Sequence, residues 1–73
     1  MKNRSFNEVI NLPDDAIVNI AEAALLMRRH PETLRRWRLA NLGPRYLASH
    51  NNAKIEYLVK DIRNWIEGRR SET

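Results

Sequence analysis

Apolar positions recur at helical spacing in three stretches of the chain, and each stretch is bounded by residues that start or stop helices. Ile20, Ala23, Ala24 and Met27 stand at i, i+3, i+4 and i+7, one stripe on a helix. Asn19 before them can accept from the third helical amide while Glu22 reaches back, a capping box that predicts the helix start. Arg28-Arg29-His30 then makes a three-residue connection. Pro31 suits a first helical position, where its missing amide costs nothing, so a second helix is expected there with His30 as its cap. Leu34 and Trp37 mark its buried side, and Glu32, Arg35, Arg36 and Leu39 fall opposite at about 100° per residue. Arg38 turns toward the Trp37 side and is set apart from that face. Asn41 can take the left-handed conformation that closes a helix, and Gly43-Pro44 prevents its resumption. Val59, Ile62, Trp65 and Ile66 predict a third helix over about Val59 to Glu67, with Asp61 near its positive end and Gly68 past the other.

Between the second and third helices, Arg45-Tyr46-Leu47-Ala48 and Ile55-Glu56-Tyr57-Leu58 flank the turn-rich Ser49-His50-Asn51-Asn52-Ala53-Lys54, which predicts a β-hairpin. Ala16-Ile17-Val18 can add a short strand. Residues 1–15 are polar, lack a period and end on the turn signal Pro13-Asp14-Asp15, so a flexible N-terminal arm is expected. Residues 16–68 then form the folded domain and residues 69–73 a basic, then polar, tail. The expected fold class is mainly α with a small β-hairpin. Trp37 and Trp65 share stripes with Leu34 and Ile62, and are expected to hold the core rather than stack on a ligand.

Composition narrows the function. A chain of 73 residues has room for one domain, and with no cysteine it can have neither disulfides nor thiolate metal sites. The longest apolar run, Ala23 to Met27, is far short of the roughly 20 residues that cross a membrane, and no signal-peptide stretch opens the chain. A cytoplasmic protein with no membrane partner is expected. Net charge is only +4, yet eleven of the thirteen Lys and Arg lie between Arg28 and Arg70. Guanidinium forks match phosphate oxygens and guanine edges, which makes double-stranded DNA the first candidate partner and the nucleoid its location when bound. Asp14-Asp15 as an acid–base pair, or Ser49-His50 as nucleophile and base, lacks a third group or an oxyanion donor. His30 and His50 have no companions at metal-ligand spacing. No catalytic residue, metal or cofactor is expected, and the chain is read as not an enzyme.

Four segments carry a resemblance. Asn19-Ile20-Ala21-Glu22-Ala23-Ala24, His30-Pro31-Glu32-Thr33-Leu34-Arg35-Arg36-Trp37, Gly43-Pro44-Arg45-Tyr46, and Tyr57 with Asp61-Ile62-Arg63-Asn64-Trp65-Ile66 occur in order. Together they resemble the MerR-like winged helix-turn-helix of phage and mobile-element excisionases, over about Ile17 to Glu67. The resemblance implies a second helix in the DNA major groove, with Glu32, Thr33, Arg35 and Arg36 at the recognition positions. It also implies a hairpin wing, here His50, Asn51, Asn52 and Lys54, against the adjacent minor groove or its phosphates. Relatives commonly carry a basic residue where this chain has Leu39, a glycine where it has Asn41, and glycine with several arginines in the wing.

The same residues make chemical sense alone. Arg36 can pair with guanine O6 and N7, and Glu32 can accept from cytosine N4. Thr33, Arg35, Arg28, Arg29 and Arg45 suit phosphate contacts, which hold register without reading sequence. Transcription activators of the MerR type add a dimerisation helix, whereas this sequence runs six residues past Glu67, which favours a minimal module. The expected function is an excisionase: an architectural factor that binds cooperatively through self-association, bends attachment-site DNA and directs a site-specific integrase or recombinase to excision. The alternative is a small phage or prophage transcription regulator with the same fold; an interaction adaptor that lost DNA binding fits the arginine-rich face less well.

Overall fold

The computed structural model describes residues 4–49 and 54–70, apart from the Arg70 side chain. Its elements are α1 (Phe6–Ile10), β1 (Ile17–Asn19), α2 (Ile20–Met27), α3 (Pro31–Leu39), β2 (Leu47–Ala48), β3 (Ile55–Leu58) and α4 (Val59–Arg70). Among the described residues this is a small α+β domain of four helices and a three-stranded antiparallel sheet in the order β1-β3-β2. No helix among them is long and apolar enough to cross a membrane.

The helix boundaries follow from local hydrogen bonding. At the start of α2 the Glu22 amide donates to Asn19 Oδ1 at 2.8 Å and the Asn19 amide donates to Glu22 Oε1 at 3.0 Å, closing the capping box. At the start of α3 the Glu32 amide donates to His30 Nδ1 at 3.0 Å, with Pro31 in the first turn. Asn41 takes a φ of 58° after α3, and the Leu42 amide returns to the Trp37 carbonyl at 2.7 Å. Gly43 follows at a φ of 82°, where a Cβ would stand 2.9 Å from Trp37 Cε3, so both the conformation and the space require glycine. The first amides of α4 are satisfied across the fold: Val59 donates to the Ala16 carbonyl at 3.0 Å and Lys60 to that of Asp14 at 2.9 Å.

β3 is the central strand. It pairs with β2 as the expected hairpin, through Leu47 with Glu56 and Ala48 with Ile55, and β2 is shorter than the stretch from Arg45 to Ala48 suggested. On its other side β3 pairs with β1, matching Ile17 to Leu58, Val18 to Tyr57 and Asn19 to Glu56. Val18 and Tyr57 therefore enter the core from neighbouring strands, together with Ala23, Ala24 and Met27 of α2, Leu34 of α3, and Val59 and Ile62 at the head of α4. Ile20, Trp37, Trp65 and Ile66 are half-buried and pack against this cluster.

Two expectations need correction. Residues 4–15 are not a flexible arm: Ser5 and Glu8 form a second capping box, the Ser5 amide donating to Glu8 Oε1 at 2.8 Å, and the α1 residue Val9 is fully buried. That amide, first among the causes, holds the Glu8 carboxyl below its ordinary value. The segment is pinned at both ends. The Arg4 amide donates to buried Glu22 Oε2 at 3.1 Å, and Arg63 of α4 donates to Asp14 Oδ1 at 2.6 Å and to the carbonyls of Leu12 at 2.7 Å and Ile10 at 3.1 Å. A five-residue helix is too short to display a period, and these tertiary contacts supply what propensity cannot. Nor does Gly68 end the last helix. The chain does not stop there but continues as α4 through Arg69 and Arg70, and Arg69 lays its guanidinium 4.9 Å from the centre of the Trp65 ring.

Because Val9 is enclosed, Val9→Ala is expected to lower stability by about 2 kcal/mol through lost burial and the cavity left behind. Denaturant unfolding followed by circular dichroism measures this; a residue in a detached arm would leave the midpoint unmoved.

Candidate nucleic-acid interface

The candidate surface is built on the junction from α2 to α3. After Met27 the chain reverses through Arg28, which adopts the left-handed conformation at a φ of 55°, a region where L-residues other than Asn and Asp are disfavoured. The reversal returns the Arg28 amide to the Leu25 carbonyl at 3.2 Å and the Arg29 amide to that of Ala24 at 3.0 Å, closing the end of α2. The Arg28 guanidinium then lies 5.6 Å from the centre of the Phe6 ring, so α1 packs beside the turn. Arg29 and His30 are exposed, and α3 begins.

On α3 the buried Leu34 and half-buried Trp37 leave Glu32, Arg35, Arg36 and Leu39 facing outward. The Arg35 and Arg36 side chains are 58% and 77% exposed, and both approach the same carboxylate: Arg35 Nη1 lies 3.0 Å and Arg36 Nε 4.0 Å from Glu32 Oε2. Exposed pairs of this kind contribute at most about 1 kcal/mol, so either guanidinium can leave Glu32 for a competing anion at little cost. The face thus offers planar donor forks on a helix whose diameter of about 10–12 Å fits a groove of about 12 Å.

The other expected residues divide. Thr33 is half-buried beside the cap, its amide donating to the His30 carbonyl at 2.9 Å, and lies off the exposed arc. Arg45 is exposed just before β2, and no carboxylate among the described residues pairs with it or with Arg29. Lys54, just before β3, has its Nζ 3.6 Å from Glu56 Oε2, and its amide donates to Ser49 Oγ at 3.0 Å. His50, Asn51 and Asn52 lie outside the described residues. Among the described residues no group of three or more His, Asp or Glu could hold a metal ion.

Arg38 is half-buried, with its guanidinium 5.9 Å from the centre of the Tyr46 ring, and its buried Nη1 has no hydrogen-bond partner among the described residues. It braces α3 against the approach to β2. The contacts of Arg28 with Phe6 and of Arg38 with Tyr46 join segments that no local spacing connects, and the sequence carried no signal for them. No protein-family model and no curated protein matches the chain.

The left-handed turn at Arg28 has a measurable consequence. Arg28→Ala keeps the unfavourable conformation and loses the Phe6 contact, whereas Arg28→Gly relieves the backbone, so the glycine variant should be the more stable of the two by about 1 kcal/mol. Thermal melts of both variants test this, and equal stability would mean that the turn does not hold the left-handed conformation in solution.

Proposed function

We propose that the chain is a sequence-specific DNA-binding protein in which α2 and α3 act as a helix-turn-helix and the β2–β3 hairpin as a wing, the MerR-like winged arrangement. The observation that carries this reading is the face of α3: a capped helix, anchored by Leu34 and Trp37, that presents Arg35 and Arg36 to solvent. In the major groove Arg36 donates to guanine O6 and N7, and Glu32, released from the arginines, accepts from cytosine N4. Arg28, Arg29, Arg35 and Arg45 contact phosphates on either side and fix the register.

Within DNA binding, the resemblance of the four sequence segments to excisionases supports an architectural role. One short recognition helix reads few base pairs, so selectivity comes from several copies bound side by side, and the row bends the duplex at a cost of about 1–6 kcal/mol offset by the added contacts. The bent attachment site is then the substrate on which an integrase excises.

Binding of the full chain to duplex DNA should weaken steeply as salt rises, because phosphate neutralisation releases counterions. Arg36→Ala should cost about 1–3 kcal/mol on the specific site and relax sequence choice, whereas Arg29→Ala should weaken specific and random duplexes alike. A salt-independent affinity would remove the electrostatic mechanism. The architectural role is tested by circular-permutation gels on attachment-site DNA beside an in vitro recombination assay with the integrase. Bending together with a shift toward excision supports the excisionase reading; repression of a nearby promoter without either supports the transcription-regulator reading.

A further inference from the structure

Leu39 is 74% exposed, the most exposed of the large apolar side chains among the described residues. Single surface leucines are ordinary, and exposure alone means nothing. Its position is more informative. Measured around α3 from Glu32, Arg36 lies about 40° to one side and Arg35 about 60° to the other, and Leu39 falls between them at about 20°. The centre of the basic arc is therefore an aliphatic group, held at the last turn of the helix about 10 Å along the axis from Glu32. Leu42, 61% exposed, follows just beyond the helix.

We infer that Leu39 is a specificity-determining residue that packs on the C5-methyl group of a thymine in the major groove. This inference rests on the DNA-binding reading. A leucine gains nothing from phosphate and would leave the amino group of cytosine or the O6 and N7 of guanine without hydrogen bonds. Thymine alone presents an apolar group on its major-groove edge. The flanking guanidinium groups of Arg35 and Arg36 supply the charge complementarity that brings this arc, and not a neutral surface, against the polyanion.

The test uses the full chain and a duplex selected with it from a random-sequence library. In that duplex each thymine is replaced in turn by uracil, which deletes only the methyl group. At one or two positions the replacement should weaken binding about fourfold, the worth of one buried methyl group. Leu39→Ala should bind the thymine and uracil duplexes equally and melt at the wild-type temperature, since its side chain is exposed. Uracil tolerance at every position in the wild-type protein, or undiminished methyl sensitivity in Leu39→Ala, would overturn the assignment while leaving DNA binding intact. Loss of self-association in Leu39→Ala with unchanged thymine discrimination would assign the residue to a protein contact instead. Failure of the library to yield any preferred sequence would remove the DNA-binding reading and this contact with it.

Discussion

The orientation of α3 depends on Trp37. Its ring is 5.0 Å from that of Trp65, tilted by 46°, and its Cβ and Cε3 lie against the backbone of Gly43. One side chain thus ties α3 to α4 and to the turn that leaves α3. Any side chain at Gly43 would push the tryptophan away, and with it the face that carries Arg35 and Arg36. Arg69 covers the far partner of the pair, so the extension of α4 past Gly68 closes one end of the same stack. An exposed helix face keeps a fixed direction only if the opposite face is locked, and in a domain this small a few aromatic contacts supply most of that lock.

Charged side chains are handled in two ways. Glu22 is buried, yet its carboxylate accepts from the Asn19 and Arg4 amides and lies 3.6 Å from Arg4 Nε, so the cost of removing it from water is offset. Arg63 is likewise committed, to Asp14 and to the carbonyls of Ile10 at the end of α1 and Leu12 just after it. By contrast Arg29 and Arg45 are exposed, and Arg35 and Arg36 share a single carboxylate. Arg29, Arg35, Arg36 and Arg45 thus stay at the surface, with Glu32 the one carboxylate among the described residues that approaches any of them.

Local chemistry determined much of this from the sequence alone. The boundaries of α2 and α3, the caps at Asn19 and His30, the left-handed Asn41, the hairpin and the outward face of Glu32, Arg35, Arg36 and Leu39 all arise within a few residues of chain, where spacing and side-chain type decide the outcome. Of the candidate contact residues, those on α3 were legible for that reason, except that Thr33 lies off the arc. Tertiary structure decided the rest. Residues 6–10 carry no period and are helical because Val9, Arg4 and Arg63 find partners far along the chain. β1 pairs with β3 rather than standing alone, because Val18 and Tyr57 must share one core. Arg28, a candidate phosphate contact, lies over the ring of Phe6, twenty-two positions earlier in the chain, and Arg38, expected on the Trp37 side, lies over Tyr46 beyond the turn that ends α3. Periodicity and capping act over one or two helical turns, whereas these contacts exist only once the chain has folded and brought its distant parts together.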